Sequence, residues 1–333
     1  MTSVLAPVYS ARDSAITQRP TSTAILAIDS EDRFTDYDDA RKPTGINRSP
    51  YDFQINKNQS LMNGFFTRLG VTEVVFPWVV PNINLYTSLM GVTYNIGAGE
   101  VDDVIDLTVG FYTPSMIAAA IQSQVRALAP AAGDLGSFTM TYGIDTLTGP
   151  TTTQRPIFEY KTNIVGVTIA FTPMSATGLF ADRKRKQLFD LLGFSGANEV
   201  LSAEDDGSDT YCQATRYIDI VCSQLTVNQA LKDTMSQTVA RDVLCRVYVG
   251  DSQGVQSTVL PSSSTFCPPG CMPTTIYRDF AQPKQIQWIP NQPVPGYLKF
   301  EVYDDAGFSL ADYTGGAVGN GANWSMTMLV TEN

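Results

Sequence analysis

Any chemistry in this chain would have to come from carboxylates, thiols or a short basic run, because its 333 residues include no histidine. That one absence removes the commonest general base, the Ser-His and Cys-His pairs and the commonest zinc ligand. Two groups of acids stand out: Glu100, Asp102, Asp103 and Asp106, then Glu204, Asp205, Asp206 and Asp209. Hard oxygen ligands of this kind suit calcium. Neither group has the spacing of an EF-hand with its distal glutamate, so both read as solvated acidic loops. Asp29, Asp32 and Arg33 look like an acid–base set, but short side chains there would satisfy turn amides. Arg33 would then pair locally or across a subunit contact.

Cys267 and Cys271 enclose Pro-Pro-Gly. The spacing is one residue longer than Cys-x-x-Cys, and no second pair completes a tetrahedral site. A turn holding two thiols close is the reading, with a late disulfide as the alternative. Arg183-Lys184-Arg185-Lys186 is the basic run, and in a chain of net charge −11 it reads as a solvated helix start. Gly315, Gly316, Gly319 and Gly321 lie outside any βαβ unit, so no dinucleotide loop is expected. Three Asn-x-Ser sequons, at Asn47, Asn58 and Asn323, have no secretory signal to make them glycan acceptors. No catalytic residue, metal or cofactor is therefore assigned. A hydrolase would need two acids at a defined separation in a cleft.

The elements that would carry these residues are mostly short strands. The chain is 43% hydrophobic and 17% charged, enough to fold as one large β domain with insertions or as two domains. No run approaches ~20 apolar residues, so no membrane helix is expected. The N-terminus lacks the charged and apolar regions of a signal peptide, which implies synthesis and assembly inside a cell. Five cysteines, an odd number, point to mostly free thiols in a reducing compartment. The acidic balance argues against strong nucleic-acid binding.

Residues 1–22 read as an extended N-terminal arm. Strands are expected at 24–28, 51–55, 71–76, 91–96, 104–107, 137–142, 157–160, 166–171, 217–221, 243–249, 285–289, 297–303 and 324–330. Gly, Pro, Asn and Asp turns separate them, the pattern of a sandwich or barrel. Thr113-Pro114 opens an amphipathic helix of about four turns that ends near Pro130. A weaker helix is expected over 182–192, stopped by Gly193.

Five stretches in this order resemble one family. They are Ile25–Arg33 (ILAIDSEDR), Ser49–Ile55 (SPYDFQI) followed by Arg68–Asn84 ending in Val-Pro-Asn-Ile-Asn, Gly110–Thr113 (GFYT) at the helix start, Leu191–Phe194 (LLGF), and Leu298–Leu310 (LKFEVYDDAGFSL). The chain is similar to the penton, or minor capsid, proteins of virophages, polinton-like viruses and related large DNA viruses.

The resemblance implies an all-β fold: a single jelly-roll β-sandwich with inserted loops and one or two short helices. It implies a capsid domain over 23–333, with an outward-facing insertion within about 130–215, assembling as homopentamers that close icosahedral vertices of the virion. The implied partners are itself, the major capsid protein, other minor capsid proteins and a spike or fibre protein, with no small-molecule substrate. Its motif residues are Asp29, Ser30, Asp32, Arg33, Phe53, Pro81, Asn82, Tyr112, Gly193, Asp305 and Gly307. Another shell position, or a spike-base module whose tyrosines and tryptophans stack on host glycans, is the alternative.

Overall fold

The computed structural model describes residues 23–33, 49–56, 59–62, 66–97, 99–129, 135–144, 156–162, 166–181, 186–194, 199–201, 204–206, 212–226, 242–249, 271, 273–288, 292–313 and 321–331. Sixteen strands, all paired antiparallel, and three helices make up this part. Eight of the strands, with one short addition, build a sandwich. They are β1 (Thr23–Asp29), β2 (Asp52–Asn56), β3 (Arg68–Trp78), β11 (Tyr217–Val221), β12 (Val243–Tyr248), β13 (Thr274–Asp279), β15 (Tyr297–Asp304) and β16 (Ser325–Thr331). The addition, β14 (Gln285–Gln287), pairs with β3 beside β13.

One sheet runs β1-β16-β3-β13 and the other β2-β15-β11-β12. Counted along the chain, the eight strands take places 1-8-3-6 and 2-7-4-5. Two Greek keys wound across two sheets give this order, which is the jelly roll.

Period-two patterning decides which side chains meet between the sheets. Met326, Met328 and Val330 face inward from β16, and Leu298, Phe300 and Val302 from β15. Trp324 lies 2% exposed at the centre, its ring 5.8 to 6.1 Å from those of Phe53, Phe76 and Phe300. Pro77 sits inside β3 rather than ending it. The β16 pairing stops at Val75, so Pro77 faces only Thr275 and its missing N–H breaks no ladder there.

Between β3 and β11 the chain leaves the sandwich and builds a second core. This inserted unit holds β4 (Leu89–Asn95), β5 (Glu100–Asp106), β6 (Thr139–Ile144), β7 (Pro156–Lys161), β8 (Thr168–Thr172), β9 (Glu199–Leu201) and β10 (Glu204–Asp206). They form two small sheets, β5-β4-β8-β9 and β10-β7-β6. Helix α1 (Pro114–Leu128) starts where expected, with the Thr113 hydroxyl accepting from Met116 N at 3.3 Å, and it buries Ile117, Ala118, Ile121 and Val125.

The weaker helix is only α2 (Leu188–Leu191); residues 182–185 lie outside the described residues. A third short helix, α3 (Leu310–Tyr313), follows β15. Asp209 lies outside the described residues; of the two acidic stretches expected as loops, Glu100–Asp106 is strand β5, whose end was expected as a strand over 104–107, and Glu204–Asp206 is strand β10. Their backbones pair, which overrides the polar side chains.

Candidate functional site

The sequence motifs come to rest in four places, each of them a joint in the framework. The first is a latch where β1 enters a 3-10 turn, Ser30–Arg33, against the start of β16. Ser30 N donates to Trp324 O at 2.9 Å, and Trp324 N donates back to Ser30 Oγ at 2.8 Å. Arg33 Nη1 reaches Ser30 O and Asn323 Oδ1, both at 2.6 Å, and burial lowers its pKa. Asp29 accepts from Glu31 N at 2.7 Å, and Asp32 is half-buried in the same turn. Trp324 Nε1 donates to Pro50 O at 2.6 Å, which fixes the indole against Phe53. Gly321 keeps a φ of 72° here, and a Cβ on it would meet the Tyr51 ring at 2.7 Å.

The second joint is the neck between sandwich and inserted unit. Asn82, 2% exposed, uses its side chain as a strand would use its backbone. Its Nδ2 donates to Tyr112 O at 2.8 Å, and its Oδ1 accepts from Tyr112 N at 2.9 Å. One residue on, Ile83 and Gly110 exchange backbone bonds of 3.2 and 2.9 Å. Pro81 O accepts from Asn84 Nδ2 at 3.3 Å, and Asn84 Oδ1 caps the amide of Tyr86 at 2.9 Å. The Val-Pro-Asn-Ile-Asn stretch thus ties the outgoing chain to the segment entering α1. Val80 belongs to the sandwich core and Ile83 to the second core.

The third is the turn after β15. Asp304, 4% exposed, accepts from Ala306 N at 3.0 Å, Phe308 N at 2.7 Å and the Tyr313 hydroxyl at 2.5 Å. Burial raises its pKa, and the Tyr313 and amide hydrogen bonds oppose that shift. Gly307 supplies the left-handed φ of 87°. Asp305 points across the joint, where Arg216 Nε donates to it at 2.7 Å and Lys186 Nζ stands 3.8 Å away. Lys186 also donates to Gln213 O and Ala214 O at 3.2 and 2.9 Å. The last residue of the basic run is therefore an intramolecular tie. Tyr313 in turn meets Tyr86 edge-on at 5.2 Å, from the base of the inserted unit.

The fourth is Gly193, at a φ of 78° after α2. Phe194 N donates back to Phe189 O at 3.2 Å, the wide closing bond of a glycine C-cap. That reversal drops Phe194 into the second core, 5.4 to 5.5 Å from Tyr160, Phe171 and Phe189.

Metal-ligating side chains do not converge among the described residues. Among the described residues no three His, Cys, Asp or Glu side chains are placed to hold a metal, and no helix is long and apolar enough to cross a membrane. Cys212, Cys222 and Cys245 carry thiols rather than disulfides, and burial pushes the Cys222 thiol up to about 12, far from thiolate chemistry. Cys271 is disulfide-bonded, which corrects the reading of two neighbouring free thiols; Cys267 lies outside the described residues. Asp219, buried, is bound bidentately by Arg246 at 2.7 Å, and Arg246 stacks 3.8 Å over Tyr217.

Comparison with solved structures returns a match to the "Crystal structure of SeMet-labeled mavirus penton protein", with a TM-score of 0.47 and 11% identity, covering 93% of this chain and 99% of that one. No protein-family model and no curated protein matches.

Sequence reasoning missed the partners: Asn323 and Trp324 for the latch, Arg216 and Lys186 for Asp305, and Asn84 with Thr87 in the neck. The Thr87 hydroxyl donates to Asn82 O at 2.7 Å and accepts from Asn84 N at 2.8 Å. The pairs lie up to 294 residues apart, as for Ser30 and Trp324, and no local pattern announces them. Helix α1 also hides a role. Gln122 Oε1 accepts from Met140 N on β6 at 3.0 Å, Arg126 Nε donates to Phe138 O just before β6 at 2.7 Å, and Gln124 bonds both backbone groups of Asp106 on β5. Its polar face closes two sheet edges.

Proposed function

We propose that this chain is a non-catalytic structural protein of a virus shell, the penton that assembles as homopentamers and closes icosahedral vertices. The jelly-roll strand order is the observation that carries the reading. The four framework joints support it, because they occupy the motif residues by which the sequence resembles pentons. Among the described residues, the motif side chains Asp29, Arg33, Asn82, Asp304 and Asp305 are held in turns, ties and caps, and what the molecule offers outward is surface. A ring of heterologous contacts would bury that surface.

In this reading residues 1–22 are an arm and residues 23–333 the capsid domain, with an outward-facing insertion within about 130–215, inside the unit between β3 and β11. The partners are further copies of the chain, the major capsid protein, other minor capsid proteins and a spike or fibre protein. Native mass spectrometry tests it. Five copies of a 36.2 kDa chain give about 181 kDa and three give about 109 kDa. A discrete pentamer is the expected species; a discrete trimer overturns the vertex assignment in favour of another shell position.

A further inference from the structure

Open sheet edges invite strand addition, and proteins blunt the ones they do not use with charge, caps or brevity. Nearly every edge here is blunted. Strand β5 carries four carboxylates, its Asp106 backbone is capped by Gln124, and Val104 N is occupied by Asp103 Oδ1 at 2.8 Å. Strand β6 lies under α1, whose Gln122 takes Met140 N. Edges β2, β12 and β13 contain Asp52, Arg246, and Arg278 with Asp279, while β9, β10 and β14 are three residues long.

Strand β1 breaks the rule. It pairs with β16 over all seven residues without a bulge; its one charge, the terminal Asp29, is turned into the next turn to accept from Glu31 N at 2.7 Å, and the six residues Thr23–Ile28 carry none. No described side chain caps its free edge, and Ile25 stands 68% exposed beside it.

We propose that this edge receives, as an added strand, the first ten residues of a neighbouring copy. The proposal rests on the ring assembly above. Met1–Ser10 carry no charged side chain, which matches the uncharged β1 edge. An arm turning straight back on its own β1 at Pro20 would instead lay Arg19, and further out Asp13 and Arg12, along that edge. Reach favours the neighbour as well. The twelve residues 11–22, extended, span up to about 40 Å, whereas a chain of this length has a radius of gyration of about 20 Å. Backbone hydrogen bonds would supply the affinity, as in other strand additions.

The experiment places a photo-crosslinking benzoylphenylalanine at Ile25 in the full chain. Particles are assembled from mixed heavy-nitrogen and ordinary copies, and native mass is measured on the same sample. Cross-links joining position 25 to the tryptic peptide 1–12 of a differently labelled copy are expected. Deleting residues 2–10 should speed exchange of β1 amides at least tenfold. An oligomer whose cross-links stay within one copy, or miss peptide 1–12, overturns this proposal and leaves the assembly reading standing. A monomer at all concentrations overturns both.

Discussion

The sandwich keeps its order by topology, with strands far apart in the chain lying side by side, such as β1 on β16 and β2 on β15. The inserted unit works differently: its strands pair mostly with near neighbours in sequence, and its two small sheets are joined by α1 side chains acting as edge caps. Aromatic rings fill both cores, around Trp324 in one and Phe194 in the other. The difference teaches where each unit is open. The inserted unit blunts its own edges, while the sandwich leaves one edge uncapped among the described residues and uncharged over Thr23–Ile28. Assembly should therefore act on the sandwich first.

The strongest way to break this comparison is Trp324→Ala. It empties the space among Phe53, Phe76 and Phe300 and should cost about 3–5 kcal/mol, measured by chemical denaturation. Hydrogen exchange should show the loss in β1, β3 and β16 while α1 stays protected. Equal loss in α1 would mean the two cores unfold as one.

Ile121→Ala is the counterpart in the inserted unit. Ile121 is fully buried, so about 2–5 kcal/mol is expected, with exchange rising in β5 and β6 and not in β16.

Alkaline titration sharpens the contrast from the sandwich side. Burial pushes the Tyr51 hydroxyl from 10.0 up to about 12. Between those values the folded state keeps a proton that the unfolded state has lost, so stability is unaffected below pH 10 and falls as pH rises to about 12. The fall is on the order of 2–3 kcal/mol, and Tyr51→Phe should abolish it in pH-dependent denaturation curves.

Asn82→Ala tests the neck. The variant leaves Tyr112 N and O without their partners, at a cost of about 1–3 kcal/mol. Amides at Ile83, Gly110 and Tyr112 should exchange faster while both cores hold. Unchanged exchange there would show that packing alone orients the inserted unit.

Gln124→Ala carries the smallest effect, about 1 kcal/mol or less. Its signature is concentration-dependent self-association through β5, read by light scattering. Adding Asp103→Ala should strengthen it.

Much of this was legible in the residues. Alternation of apolar and polar side chains marked most strands, and Thr113-Pro114 marked the start of α1, because pleat and cap are set within a few positions of the chain. Strand β13 escaped: only Ile276 is buried in it, beside exposed Tyr277 and charged Arg278 and Asp279, so it has little apolar pattern to read. Residues 100–103 and 204–206 were misread as loops because composition reports solvation and says nothing of whether a backbone finds a partner.

The sequence by itself determined the strand-rich class, the α1 start and the turns at Asp29, Gly193 and Gly307, since these follow from side-chain period, capping and the freedom of glycine at positive φ. Only the tertiary structure decided which strands became neighbours, that Asn82 clamps Tyr112 and Asp305 pairs with Arg216, and which edge has no cap among the described residues. Those contacts join residues tens to hundreds of positions apart, where the energy of pairing depends on geometry that no local spacing encodes.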